Sequence, residues 1–138
     1  EANDIAIKKG RKLSWEEVKA LFKRGNDFNK KALAKYDLNE IVLENGKRLD
    51  SYIPGKEIIS RKATTLSEIK PETFEGYLRE LTTKYKKGTK INSSKTSGIL
   101  EGEYKLEVPT SNKSFFENSQ KLQDLARKYD VTIKYLDE

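Results

Sequence analysis

Asp50, in the run Leu49-Asp50-Ser51-Tyr52-Ile53, and the pair Ser60 and Lys62, in the run Glu57-Ile58-Ile59-Ser60-Arg61-Lys62-Ala63-Thr64, are the side chains here best suited to chemistry. Both runs read as β-strands. The strand period of two puts Ser60 and Lys62 on one face. An acid on one strand and Ser-x-Lys on the next can hold a divalent metal and an attacking water against a phosphodiester. In that layout Asp50 supplies a hard oxygen ligand, and Lys62 holds or polarises the water and stabilises charge building on phosphate. Ser60, reaching the metal directly or through water, is the weakest ligand of the set.

The turn at Asn45-Gly46 decides whether a second acid joins Asp50. A two-residue turn would set Ile41 opposite Asp50 and send Glu40 to the other side of the sheet. A three-residue loop, 44–46, with Gly46 left-handed, sets Leu43 opposite Lys47 and Glu40 opposite Asp50. The second arrangement is expected, because it collects Ile41, Leu43, Leu49 and Ile53 on a core face. Glu40, Val42, Arg48 and Asp50 then form a working face, joined by Ser60 and Lys62. Facing carboxylates raise each other's proton affinity unless a cation sits between them. Asp50, Glu40 and Ser60 are therefore the expected metal ligands, with Mg²⁺ or Mn²⁺ as the fitting ions and Zn²⁺ as a further option. Without a metal, Glu40, Asp50 and Lys62 would form an ordinary cross-strand ion-pair ladder.

Composition removes the competing chemistries. The chain has no histidine and no cysteine, so imidazole bases, thiolate nucleophiles, zinc fingers and disulfides are excluded, leaving carboxylates, Lys, Ser/Thr, Tyr and a borrowed metal. The 28 Lys and Arg exceed the 22 Asp and Glu, and a net charge of +6 suits a polyanionic partner without demanding one. At 138 residues the expectation is a single domain, 1–138, with 1–12 as a flexible lead-in. No apolar run approaches the ~18 residues that span a bilayer, and no signal peptide is visible. A start at Glu1 in place of Met suggests a piece of a longer protein.

The elements that must position these residues follow from periodicity. Ser14 and Glu17 have capping-box spacing ahead of Trp15, Val18, Leu21 and Phe22, which predicts a helix ending at Gly25. A second helix capped by Asn26 or Asp27 would carry Phe28, Ala32 and Tyr36. Three strands follow at 40–44, 47–53 and 57–64. A helix from Pro71 to before Gly88 should bury Phe74, Tyr77, Leu78, Leu81 and Tyr85. Residues 86–98 read as a mobile polar loop, 100–108 as a strand stopped by Pro109, 115–129 as a helix burying Phe115, Leu122, Leu125 and Ala126, and 131–135 as a strand. The order expected is α-α-β-β-β-α-β-α-β, a mixed sheet flanked by helices in an α+β sandwich.

The segment 39–64, with Asn45-Gly46-Lys47-Arg48-Leu49-Asp50-Ser51-Tyr52 and Glu57-Ile58-Ile59-Ser60-Arg61-Lys62-Ala63-Thr64, resembles the C-terminal nuclease domains of bacterial polymorphic toxins, including contact-dependent growth-inhibition and LXG-type effectors. The similarity runs on through Tyr77-Leu78-Arg79-Glu80-Leu81, Lys84-Tyr85 and Leu106-Glu107-Val108-Pro109. It implies a restriction-endonuclease-like PD-(D/E)XK core in which Asp50 matches the metal-binding aspartate, Lys62 the lysine, and Ser60 the place where many members carry a second acid. The fourth member is open between Glu40 and a helix acid, Glu16, Glu17 or Asp27. The resemblance further implies DNA cleavage (RNA on the same fold being the alternative) and a cognate immunity protein. It also implies residence in a larger secreted or cell-surface toxin delivered to the target-cell cytoplasm. A basic binding module with structural acids is the reading from another class.

Other residues have more modest expectations. Arg48, Tyr52, Lys90 and Lys95 could meet nucleic acid. Arg61 alternates away from Ser60 and Lys62 and reads as structural or partner-facing. The strand near 100–108 could serve as a positively charged edge for an acidic partner.

Overall fold

The computed structural model describes residues 7–8 and 11–138. Most of the expected lead-in, 1–12, lies outside the described residues; its two described pieces, β1 (Ile7–Lys8) and β2 (Arg11–Lys12), pair antiparallel. The rest is a five-stranded mixed sheet with four α-helices, in the order α1 (Trp15–Lys35), β3 (Asn39–Val42), β4 (Arg48–Ile53), β5 (Glu57–Arg61), α2 (Pro71–Lys84), β6 (Glu103–Pro109), α3 (Lys113–Glu117), α4 (Gln120–Lys128) and β7 (Val131–Leu136).

α1 starts where the capping box places it: Ser14 Oγ accepts the Glu17 amide and Glu17 Oε1 accepts the Ser14 amide. It then runs unbroken through Gly25, so the two helices expected on either side are one. Phe28, Ala32 and Tyr36 are buried as their spacing requires, whereas Trp15 and Phe22 face solvent. The propensity cost of one glycine, about 1 kcal/mol, is smaller than what the buried stripe returns.

The three-residue loop between β3 and β4 forms as read. The Leu43 amide donates to Lys47 O, the Gly46 amide donates to Leu43 O, and Gly46 takes φ +84. Asn39 faces Ser51 and Ile41 faces Leu49, which sets Glu40 level with Asp50. The alternation slips there, however. Leu49 and Tyr52 both pack in the main core, Ser51 lies on the other face, and Glu40 adopts φ +52.

β4 pairs antiparallel with β5, and β5, β6 and β7 are parallel. The segment expected at an edge, 100–108, contributes β6, which lies between β5 and β7 and is largely buried. Parallel strands need long crossovers, and α2 and the α3–α4 pair supply them. Asn118 and Ser119 divide the expected 115–129 helix in two. Ser119 caps α4 through the Leu122 amide, Phe116 enters the core, and Phe115 is exposed.

α2 buries the five residues its spacing predicts, Phe74, Tyr77, Leu78, Leu81 and Tyr85, in one core with Ile58, Tyr104 and Leu106. Full burial of an aliphatic or Phe side chain contributes about 1.5–3 kcal/mol. Ala32 of α1 and Tyr36, which caps its C-terminus, pack with Ile59 in a second cluster. The expected loop 86–98 is pinned along the outer side of β3: the Glu44 amide donates to Lys90 O, the Asn92 amide donates to Val42 O, and Ile91 is buried opposite Leu43. It covers the edge that β3 would otherwise expose.

Candidate active site

β4 and β5 bring Asp50 to Lys62 through a main-chain contact. Asp50 Oδ2 accepts the Arg61 amide at 2.7 Å, so the carboxylate is seated beside the residue that precedes Lys62. The Lys62 amide in turn donates to Glu107 O of β6, which fixes the chain after β5 ends. The Arg61 side chain leaves by the α1 face, and by alternation Ser60 and Lys62 take the α2 face. Ser60 is buried there. Lys62, about one-eighth exposed, lays its ammonium 5.1 Å from the Tyr77 ring centre and donates to Glu80 Oε1 at 3.1 Å.

Glu80 of α2 is the helix acid that meets this lysine. Its other oxygen lies 3.4 Å from Lys84. Burial alone would push its carboxyl up, but the charge and hydrogen bond of Lys62, with those of Lys84, outweigh burial and hold it below the ordinary 4.5. Of the helix acids considered from the sequence, Glu16 pairs with Lys19 and Asp27 with Lys23 along α1, and Glu17 accepts the Ser14 amide at the helix start. Glu80 and Lys84 are visible in the sequence as an i,i+4 pair, a spacing that ordinarily marks a solvated helix face. No signal in the sequence singles out Glu80; that Tyr77, one turn earlier, receives the same ammonium on its ring is visible only in the fold.

Glu40 does not join them. It is 64% exposed and pairs at 3.8 Å with Arg48, itself 65% exposed. Tyr52 is a packing residue, its hydroxyl donating to Ile99 O and accepting the Glu101 amide. Lys90 is exposed, and Lys95 Nζ donates to Asn39 O at 2.6 Å. Arg61 is structural, as its alternation predicts: it donates from Nε to Glu107 Oε1 at 2.8 Å and from Nη2 to Ser51 Oγ at 2.7 Å.

Among the described residues no three carboxylates gather as a group that could hold a metal ion. The oxygen donors nearest Lys62 are Glu80, engaged by Lys62 and Lys84, and Asp50, which accepts the Arg61 amide; Ser60 is buried two residues before the lysine.

Compared with known proteins, the chain matches no protein-family model, no characterised protein sequence and no solved structure. No helix among the described residues is long and apolar enough to cross a membrane.

Proposed function

We propose that this chain is a metal-dependent endonuclease domain that hydrolyses phosphodiester bonds of DNA. The observation that carries the reading is the meeting of three elements around Lys62: Asp50 of β4 on the Arg61 amide, Ser60 two residues before the lysine, and Glu80 of α2 on its ammonium. Asp50 and Glu80, with Ser60 beside them, would hold the metal. When bound, the metal makes water more acidic and neutralises charge on the phosphate. Asp50 accepts an amide hydrogen bond with one oxygen and is thereby oriented. Lys62 is held by Glu80 and the Tyr77 ring, and from there it would stabilise charge building on the phosphate. The resemblance of 39–64 to polymorphic-toxin nucleases supports placing the domain in a larger bacterial toxin acting in a target cell and neutralised by an immunity protein.

Purified protein incubated with supercoiled plasmid, and separately with total RNA, in Mg²⁺, Mn²⁺, Zn²⁺ or EDTA tests this. Metal-dependent nicking abolished by Asp50→Ala and Lys62→Ala is expected. Degraded RNA with intact plasmid would change the substrate and keep the site. Inert samples under every metal would reduce Asp50, Lys62 and Glu80 to structural ion pairing.

A further inference from the structure

We infer that the corner where the β3–β4 loop, the C-terminal end of α2 and the 86–92 arm meet is the surface that grips the sugar-phosphate backbone of DNA. The identity of the polyanion rests on the nuclease reading above.

Main-chain contacts build this corner. Asn45 Nδ2 donates to Lys84 O, the Tyr85 hydroxyl donates to Arg48 O, the Glu44 amide donates to Lys90 O, and the Lys87 amide donates to the Tyr104 hydroxyl. The hairpin and the continuous stretch from the end of α2 into the 86–92 arm thus bring together Lys47, Arg48, Lys84, Lys86, Lys87 and Lys90. The acids at the corner are Glu40 on Arg48, Glu80 on Lys84, and the exposed Glu44. Lys47, Lys86, Lys87 and Lys90 are exposed and have no carboxylate partner among the described residues, although Lys87 lies 5.0 Å over the Tyr104 ring.

The helix dipole accounts for lysines at the end of α2, since a helix C-terminus attracts cations. It does not account for Lys47, which comes from the hairpin, or Lys90, which comes from the arm. Four exposed cations, with Glu44 the one exposed acid among them outside an ion pair, repel one another, and a polyanion laid across them relieves that repulsion and releases its own counter-ions. The corner also adjoins the proposed site, because Glu80 is shared by Lys84 and Lys62. Backbone held on Lys86, Lys87 and Lys90 would lead toward Lys62.

The test is binding without cleavage. Anisotropy of a short fluorescein-labelled DNA duplex is measured in EDTA over a salt series for the wild type and two variants. Lys86→Gln/Lys87→Gln/Lys90→Gln removes three charges at the corner, and Lys30→Gln/Lys31→Gln/Lys113→Gln removes three exposed charges elsewhere. Thermal melts confirm that both variants fold. The corner variant should bind on the order of tenfold more weakly, with a slope of log K against log salt shallower by about 2–3, while the control shifts by less than about 1. Weakened binding in the corner variant upholds the surface even if no metal elicits cleavage. Equal changes in the two variants overturn it, even if the wild type proves to be a nuclease. Loss confined to an RNA duplex of matched length overturns the assignment to DNA.

Discussion

At the scale of single residues, the unusual feature is a lysine placed by two acids that play different parts. Asp50 spends one oxygen on the Arg61 amide, and Glu80 answers the Lys62 charge directly. Because Lys62 and Lys84 hold the Glu80 carboxyl below 4.5, it is already ionised wherever the protein would be assayed near neutrality. Glu80→Gln keeps the shape and an acceptor oxygen but removes the charge. It should lower metal-dependent nicking on the order of a hundredfold, and by the same factor throughout pH 5–8, since no titration of Glu80 falls in that range. An effect that vanishes at the acid end of that range would contradict this. The shared face of Ser60 and Lys62 was legible from strand alternation; the position of Asp50, where the alternation slips, was not. Neither was Glu80, because helical periodicity identifies the apolar face and is silent about which polar residue on its border finds a buried charge.

At the scale of elements, two glycines play opposite parts. Gly25 suggests a helix break by composition, yet it sits inside α1, where a Cβ would meet nothing within 4 Å. Gly25→Ala should therefore stabilise the protein by about 0.5–1 kcal/mol, read as a raised denaturation midpoint. Gly102 behaves oppositely. It has φ +136, and a Cβ there would lie 2.5 Å from the Lys56 carbonyl carbon and 2.7 Å from the Glu57 nitrogen, where the Glu103 amide joins Lys56 O as β6 meets β5. Gly102→Ala should cost about 1–3 kcal/mol or more, because neither backbone can yield without opening that junction. The same contrast marks what the sequence could reveal about elements. The capping box, the 44–46 loop and the buried face of α2 are local signals, legible in the sequence and present in the fold. The continuity of α1, the break at Asn118-Ser119 and the pinning of the 86–92 arm depend on neighbours distant in the chain.

At the scale of the whole molecule, the sheet is tied to α1 by a carboxylate that the sequence gives no reason to place inside. Glu107 was expected on a strand at an exposed edge. Because β6 is flanked by β5 and β7, Glu107 is instead wholly buried, accepting from Arg61 Nε at 2.8 Å, Lys35 Nζ at 2.9 Å and the Tyr36 hydroxyl at 2.6 Å. Burial pushes its carboxyl up, and the three donors more than reverse this, leaving it below the ordinary 4.5; the same contact and burial raise the Tyr36 hydroxyl well above its ordinary value. A carboxyl depressed in the folded state contributes stability that is complete above its unfolded value and is lost as pH falls through its folded one. The wild-type melting temperature should thus hold down to about pH 4.5 and decline below it. Glu107→Gln leaves Arg61 buried without its counter-charge, a loss of about 3–5 kcal/mol at neutral pH, read as a fall of about 10 °C or more. That deficit should narrow as the buffer is taken below pH 4.5, because protonation removes from the wild type the same charge that the substitution removes. Parallel melts of the two proteins from pH 7 down to pH 3 would decide it: curves that stay equally far apart would mean that Glu107 acts through its shape and not its charge.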